Sequence, residues 1–240
     1  MSKERLAALA QQLRMYKAPV AADDDDAMGQ PSERLRPKKA AVLICLFEQD
    51  NNEGIRVILT KRSSGLSTHS GEVALPGGKA EEDDVDDADT ATREAHEEIG
   101  LHPSLVDVVA FLQPFLSKHL LRVIPVIGIL SDRDAFNPTP NAAEVDDVFD
   151  APLEMFLKDE HRRSEKREWM GEEYLVHYFD YETPPAAEAG GGNKKYLIWG
   201  LTAGILIRAA SLVYQRPPDF LDQTPKFKLP RVLSKGTIMP

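Results

Sequence analysis

The amino-acid sequence predicts an α/β fold in which helices cover a β-sheet. Short β-rich runs recur from Ala40 onward, and two strongly helical segments interrupt them. Strands and helices are therefore mixed along one chain rather than segregated, which is typical of this class. The chain has 240 residues, 42% of them hydrophobic, and this is enough to bury a substantial core in one domain with extensions.

The N-terminal segment contains the first predicted element. Four side chains recur at spacings of three and four: Leu6, Leu9, Leu13 and Tyr16. This pattern predicts a short amphipathic helix over residues 3–16 that docks on the domain surface. The acidic run Asp23–Asp26 has prolines after it and predicts a solvated linker, so residues 1–37 form an N-terminal extension.

The predicted strands follow in chain order, each rich in β-branched, aromatic or other apolar residues. They are Ala41–Phe47, Ile55–Thr60, Val106–Phe115, Val123–Leu130 and Tyr174–Tyr181. Two helices are predicted, near Asp86–Ile99 and Ile198–Tyr214, and the glycine-rich segment Ala186–Asn193 predicts a loop before the second helix. The tail after Gln215 is predicted to be extended or disordered.

The apolar stretch Leu197–Tyr214 raises the question of a membrane span. It is marginal against the roughly 20 residues that cross a bilayer. It also contains Arg208, Thr202 and two glycines. We therefore predict a helix buried against the sheet and no membrane partner.

The charge and cysteine content exclude several functional classes. The formal net charge is −10 at pH 7. This argues against a nucleic-acid-binding protein, because such proteins usually need a clustered basic face. The single cysteine, Cys45, lies in an apolar run and is predicted to be a strand core residue rather than a catalytic thiol. An anionic substrate would need local cations, either metal ions or a few placed Lys and Arg side chains.

The segment most informative about function is an acidic stretch that ends in a helix. On a helix of about 3.6 residues per turn, Glu94, Glu97 and Glu98 share one face. A different stripe is apolar and can pack against a sheet. It comprises Ala88, Ala91, Ala95 and Ile99. Gly100 supplies a C-terminal stop.

Three like charges on neighbouring turns repel each other, so a cation should compensate them. Arg93 lies four residues before Glu97 and can neutralise part of the charge, while hard divalent cations with oxygen ligands can neutralise the rest. A solvated acidic surface is the alternative. Gly77 and Gly78 follow Pro76 and let the backbone approach a ligand closely, which favours a site for an anionic phosphate.

These residues closely resemble the signature of the Nudix superfamily. That signature reads Gly, five residues, Glu, seven residues and then Arg-Glu-U-x-Glu-Glu-x-Gly-U, where U is apolar. Its second half matches at every position from Arg93 to Leu101. In its first half the signature Gly falls on Lys79 and the signature Glu on Val85, because Gly78 lies one residue too early. Acidic residues stand on both sides of position 85, at 81–84 and 86–87, but none stands at the position of the signature Glu. The role of that Glu is therefore assigned to no single residue of this chain.

The lengthened first half is similar to the Nudix subgroup that cleaves coenzyme A. The upstream motif of that subgroup is matched by Ile58-Leu59-Thr60-Lys61-Arg62-Ser63, then Gly71, then Leu75-Pro76-Gly77-Gly78. Ser67 replaces the motif's internal Arg, and Leu75 replaces its Phe. Asn141–Leu157 and Leu197–Leu206 look like the same subgroup, especially its plant members.

The resemblance implies a Nudix α/β/α sandwich with a mixed β-sheet over residues 38–220, followed by a tail at 221–240. It implies hydrolysis of the diphosphate bond of coenzyme A or acyl-coenzyme A with Mg²⁺ or Mn²⁺, giving 3',5'-ADP and (acyl-)4'-phosphopantetheine. Glu94, Glu97 and Glu98 would hold the metal, with one glutamate acting as base, and Arg93 would orient them.

Substrate phosphates would be contacted by a second set of residues in this interpretation. It comprises Lys61, Arg62, His69, Gly77, Gly78 and Lys79. The basic side chains and His69 could equally be ordinary surface or loop residues. Glu144 is a further candidate carboxylate, which could instead be a helix or turn cap.

Other functions remain open at this stage. One alternative is hydrolysis of another nucleoside diphosphate derivative such as ADP-ribose, and the other is a non-catalytic Nudix-fold binding module, against which the intact glutamates count. The expected partner is a small-molecule substrate, and a homodimer is left open. We expect a cytoplasmic protein, with mitochondria as the alternative because the first predicted helix carries several basic residues.

Overall fold

The computed structural model describes residues 2–18, 38–49, 54–117, 121–169, 171–184 and 192–223. The predicted acidic linker at 23–26, most of the predicted glycine-rich loop and the tail from residue 224 lie outside these residues.

The described part of the chain contains three α-helices, eleven strands and two short 3₁₀ helices, the latter at Pro103–Leu105 and Leu153–Leu157. The helices are α1 (Ser2–Arg14), α2 (Asp87–Ile99) and α3 (Gly200–Tyr214). The strands are β1 (Lys39–Glu48), β2 (Ile55–Arg62), β3 (Val73–Ala74), β4 (Gly77–Lys79), β5 (Val106–Phe111), β6 (Phe115–Leu116), β7 (Arg122–Leu130), β8 (Val145–Pro152), β9 (Arg162–Trp169), β10 (Glu172–Glu182) and β11 (Lys195–Trp199).

The larger sheet is mixed, as predicted. Its strands run in the order β3-β2-β1-β7-β5, with β4 paired to β1, β6 to β7 and β8 to β2. Strands β1 and β7 are parallel, whereas β2 and β4 pair with β1 in the antiparallel sense. A smaller antiparallel sheet has the order β11-β10-β9.

Helices cover both faces of the larger sheet, which confirms the predicted sandwich. Because side chains alternate along a strand, β1 sends Leu43 and Cys45 to one face and Ile44 and Leu46 to the other. The first face packs against α2, and the second packs against α1, α3 and the smaller sheet. Burial on both faces explains why β1 is apolar almost throughout.

Two local predictions were confirmed in this fold. Leu6, Leu9 and Leu13 of α1 are buried, so the N-terminal helix docks on the domain. Cys45 is fully buried, and this burial raises the pKa of its thiol to about 12, which suits a core residue rather than a nucleophile. Among the described residues, no helix is both long and apolar enough to cross a membrane.

Two other predictions were wrong in detail. The strand predicted over Val106–Phe115 ends at Phe111, and Pro114 lies in the break before β6, where it has no N–H to donate to the sheet. The late helix begins at Gly200, because Ile198 pairs with Phe179 as part of β11. After Gln215 the Asp219 N–H donates a hydrogen bond to the Leu157 carbonyl.

Candidate functional site

Helix α2 is held in place at both ends and along one side. At its start the Asp86 carboxylate accepts hydrogen bonds from the N–H groups of Ala88 and Asp89. At its end Gly100 adopts the left-handed conformation with φ of 73°, as predicted from its position. Ala91, Ala95 and Ile99 are fully buried against β1, so the acidic residues of this helix project from a rigid support.

The three glutamates of α2 differ strongly in burial. Glu97 is exposed, with 55% of its side chain accessible, and Glu94 is partly buried. Glu98 is only 3% exposed. The predicted acidic side of the helix therefore runs from solvent at Glu97 to a buried carboxylate at Glu98.

The Glu98 carboxylate is the point at which the two sequence motifs meet. Its Oε2 accepts a hydrogen bond of 3.1 Å from the Gly77 N–H. Its Oε1 lies 3.9 Å from Nη1 of Arg62. The bend at Pro76 and the two glycines that begin β4 are together called the glycine turn. This turn and the end of β2 are both directed at the same buried acid.

Burial is the main reason that the pKa of Glu98 is raised to about 7. The Gly77 N–H and Arg62 oppose this rise in pKa, whereas the carboxylates of Glu94 and Glu144 add to it. Burial likewise raises the pKa of Glu94, and Glu97 and Glu144 contribute through their negative charge. The acids at this site therefore destabilise one another in the absence of a cation.

Gly78 allows the Glu94 carboxylate to lie directly against the backbone of β4. A Cβ atom at position 78 would overlap that carboxylate. The glycine requirement here comes from close approach of a side chain rather than from an unusual backbone angle.

Arg93 organises the exposed end of the site. Its Nη1 donates to Glu97 and its Nη2 donates to Glu94 and to the Lys79 carbonyl, at 3.2 to 3.3 Å. Its strongest partner is Asp84, which it contacts with Nε at 2.8 Å and Nη2 at 3.1 Å. The Arg93 guanidinium holds the pKa of Asp84 well below its usual range.

Asp84 is a residue of the site that the sequence motif alone did not identify. The Glu81 N–H and the Thr90 hydroxyl also donate to Asp84, so this acid is held on several sides. Val85, on which the signature Glu falls, is 88% exposed instead. The acidic stretch was the only available signal, because choosing among its members requires the path of the loop before α2.

Glu144 lies close enough to Glu94 and Glu98 for its negative charge to raise the pKa of both carboxyl groups. The Asn141 N–H donates to the Glu98 carbonyl at the end of α2, and the Asn141 side chain contacts the Glu144 carboxylate at 3.4 Å. The Glu144 carbonyl accepts from the Ser63 N–H beside the end of β2. The turn at Asn141 therefore joins α2, β2 and Glu144 in one place.

The predicted phosphate-contacting side chains do not all face the glutamates. Alternation along β2 puts Arg62 on the face of Ile58, which packs with α2, and Lys61 on the face of Leu59, which packs with α3. Nε of Arg62 is buried without a hydrogen-bond partner. His69 lies in the following loop with φ of 55°, and its Nδ1 is 2.8 Å from Glu72. The Lys79 side chain is exposed.

Within the described part of the chain, no three acidic, histidine or cysteine side chains stand together as a ready-made metal site. The glutamate side chains do not converge because the Glu97 carboxylate accepts a hydrogen bond from Arg93, whereas the Glu98 carboxylate accepts one from the Gly77 N–H. The donor set nevertheless fits a hard divalent ion, since it consists of carboxylate oxygens whose repulsion a cation would relieve.

Comparison with known proteins is consistent with this geometry. A family profile described as NUDIX domain matches residues 37–183. Nudix hydrolase 15, mitochondrial, of Arabidopsis thaliana is 72% identical over 200 residues, which is 83% of this chain and 67% of that protein. Nudix hydrolase 22, chloroplastic, of the same plant is 63% identical over 244 residues, covering 93% of this chain and 78% of that protein.

Two further comparisons are more distant. Peroxisomal coenzyme A diphosphatase NUDT7 of Mus musculus is 35% identical over 193 residues, covering 80% of this chain and 78% of that protein. A crystal structure of the Nudix hydrolase RenU from M. smegmatis aligns with a TM-score of 0.42 and 21% identity, covering 49% of this chain and 72% of that chain.

Proposed function

Because the chain belongs to the Nudix hydrolase family, we propose that it hydrolyses the diphosphate bond of coenzyme A and its thioesters. The products would be 3',5'-ADP and 4'-phosphopantetheine or its acyl derivative. Membership in the family supports a pyrophosphohydrolase acting on small-molecule substrates such as nucleoside diphosphate derivatives. The choice of coenzyme A among them is the part that we propose.

The choice of coenzyme A rests on the contacts that two parts of the upstream motif make with Glu98. The upstream motif from Ile58 to Gly78 resembles that of the coenzyme A-cleaving subgroup, and two of its residues, Arg62 and Gly77, both contact the buried Glu98 carboxylate. The motif is therefore part of the same site as the acidic helix. The mouse relative, which is named as a coenzyme A diphosphatase, supports the same choice.

Nudix hydrolases generally use divalent metals such as Mg²⁺ or Mn²⁺. In our proposal Glu94, Glu97 and Glu98 would hold the metal, and Glu144 would be a further carboxylate beside them. When bound, the ion supplies positive charge that polarises the diphosphate and makes water a stronger acid. Arg93 orients Glu94 and Glu97 through its direct hydrogen bonds.

Arg62 has a distinct role in this proposal. Its guanidinium lies 3.9 Å from the Glu98 carboxylate, and 28% of its side chain is exposed. A phosphate oxygen of the substrate would accept a hydrogen bond from this guanidinium. Lys79 and His69 lie on the segments that flank the glycine turn and are further candidates for phosphate contacts, whereas Lys61 faces the α3 side of β2.

The substrate is tested by measuring kcat/KM for coenzyme A, acetyl-coenzyme A and ADP-ribose with excess Mg²⁺ or Mn²⁺. We expect coenzyme A and its thioester to be preferred. The Arg62→Ala variant should lose about 1.5 to 3 kcal/mol of transition-state stabilisation with coenzyme A, because a charge-assisted hydrogen bond is removed. Arg14→Ala is the matched control, because Arg14 lies on α1 and pairs with Asp107.

Each failure has a separate meaning. A wild-type preference for ADP-ribose would overturn the choice of coenzyme A and leave the family chemistry standing. Equal losses for both substrates in Arg62→Ala would remove Arg62 from substrate choice. Binding of coenzyme A with no metal-dependent turnover would favour a binding module.

The compartment is also a proposal. The relative at 72% identity is named as a mitochondrial protein, which favours the mitochondrial alternative over the cytoplasm. Imaging of the full chain fused at its C-terminus to a fluorescent protein, beside mitochondrial and chloroplast markers, would decide among these compartments.

A further inference from the structure

Three planar groups form a row across the outer face of the smaller sheet. Arg163 of β9, Tyr178 of β10 and Trp199 of β11 occupy one register position on adjacent strands. The Arg163 guanidinium lies 4.9 Å from the centre of the Tyr178 ring. The Tyr178 and Trp199 rings are stacked, with centroids 5.6 Å apart and planes inclined by only 3°.

Trp199 is the open end of this row. Tyr178 is buried between its two neighbours, and its hydroxyl contacts Glu165. Trp199 belongs to the edge strand of the sheet and remains partly exposed, with one ring face against Tyr178. Leu197 and Leu201, which are close to Trp199 in the sequence, are also exposed. The indole therefore belongs to a solvent-exposed apolar surface.

The open end lies beside the strand that leads into the glycine turn. Strand β11 contacts β3, and the Thr202 hydroxyl, three residues after Trp199, donates to the Val73 carbonyl at 3.1 Å. Val73 pairs with Lys61 of β2 and precedes Gly77 by four residues. Strand β11, which carries Trp199, therefore lies beside β3, the strand that precedes Gly77 in the sequence.

We propose that Trp199 is the stacking platform for the adenine base of the substrate. This inference rests on the proposed function, because coenzyme A carries an adenine joined through ribose to the diphosphate that is cleaved. A purine placed on the indole face that points away from Tyr178 would extend the existing row of parallel planes. Aromatic side chains bind bases in this way without requiring specific hydrogen bonds, because every base has a π face.

The direct test uses the intrinsic fluorescence of Trp199. The chain has two tryptophans, Trp169 and Trp199. A Trp169→Phe variant, first checked for unchanged melting temperature, therefore reports on Trp199 alone. Titration with 3',5'-ADP should quench its emission in a saturable way, whereas 4'-phosphopantetheine, which lacks the base, should not. Absence of quenching by 3',5'-ADP, or equal quenching by both compounds, would overturn the proposal.

Kinetics give an independent measure. Trp199→Ala should raise KM for coenzyme A by roughly tenfold and leave kcat within about twofold, which is the loss expected for one stacked base. Trp199→Phe should recover most of the affinity, because a planar ring is retained. Trp169→Ala is the matched control, since it removes an indole at the far end of β9. An unchanged KM in a folded Trp199→Ala variant would refute a stacking role.

The two levels of the hypothesis fail in different ways. If ADP-ribose is the preferred substrate but 3',5'-ADP still quenches Trp199, the proposed substrate fails and the adenine platform stands. If coenzyme A is cleaved with the same KM in wild type and Trp199→Ala, the platform fails and the proposed function stands.

Discussion

Replacement of Glu98 by glutamine should stabilise the metal-free protein at alkaline pH while reducing its activity. The amide side chain would keep the shape of the original and an oxygen that can accept from the Gly77 N–H, but it would carry no charge. The wild-type carboxylate is 3% exposed, and burial raises its pKa from 4.5 to about 7. The charged form is therefore disfavoured in the fold.

The sign of the pH dependence follows from this raised pKa. Between pH 4.5 and about 7 the folded protein holds a proton on Glu98 that the unfolded chain has lost. The fold is thus favoured at low pH by this group, and the benefit disappears as the pH rises through the folded pKa. At about 1.4 kcal/mol for each pKa unit, the charged form costs roughly 3 kcal/mol at pH 8.

The assay is thermal melting of wild type and Glu98→Gln in excess chelator at pH 5 and pH 8. For a chain of this size, the expected gain of the variant at pH 8 is roughly 6 to 12 °C, and it should fall to about a quarter of that at pH 5. Glu97→Gln is the control, because it removes the same charge from an exposed position. Excess Mn²⁺ should stabilise wild type more than Glu98→Gln.

Two results would contradict the reasoning. A variant melting at or below the wild-type temperature at pH 8 would show that the charged Glu98 is not destabilising in the fold. A gain of equal size at both pH values would show that something other than its ionisation is responsible.

Three further predictions concern the site and the docked helix. Asp84→Asn should lower kcat and reduce the free energy of unfolding in urea by about 1.5 to 3 kcal/mol, because Arg93 loses its main partner. The control Asp83→Asn changes an exposed residue and should alter the free energy of unfolding by less than about 0.5 kcal/mol. Similar rates for both variants would argue against positioning by Asp84. Glu97→Gln should reduce metal-dependent initial rates by on the order of a hundredfold or more with little change in melting temperature, and near-normal rates would exclude Glu97 from the chemistry. Leu13→Ala should cost about 2 to 5 kcal/mol of unfolding free energy in urea denaturation, because Leu13 is fully buried; a loss below about 0.5 kcal/mol would mean that α1 is not part of the cooperative fold.

The best-predicted elements had a clear local pattern, which is a helical repeat in α2 and a continuous apolar run in β1. Helix α2 runs over Asp87–Ile99, against the predicted Asp86–Ile99, and β1 contains the predicted apolar run. Strands β8 and β9 were missed because they are rich in charged residues, and nearly all side chains of β9 are exposed. Strand β8 is extended because it pairs with β2, which is distant in sequence. Strand β9 is extended because it forms a hairpin with β10.

The candidate site divides in the same way. Sequence by itself determined that Arg93, Glu94, Glu97 and Glu98 form one group, because helical spacing places residues three and four apart on neighbouring turns. Only the tertiary structure decided that Asp84 pairs with Arg93, because several acids precede α2 and the loop path selects one of them.

The same distinction applies to the basic residues and to the smaller sheet. Lys61 and Arg62 are adjacent in the motif, yet strand alternation turns them to opposite faces of the sheet, and only the packing of α2 and α3 shows which face is which. The stack of Tyr178 on Trp199 depends on the register between β10 and β11. Chemistry confined to one helical turn could be inferred from the chain alone, whereas contacts between separate elements depend on long-range packing that local spacing does not encode.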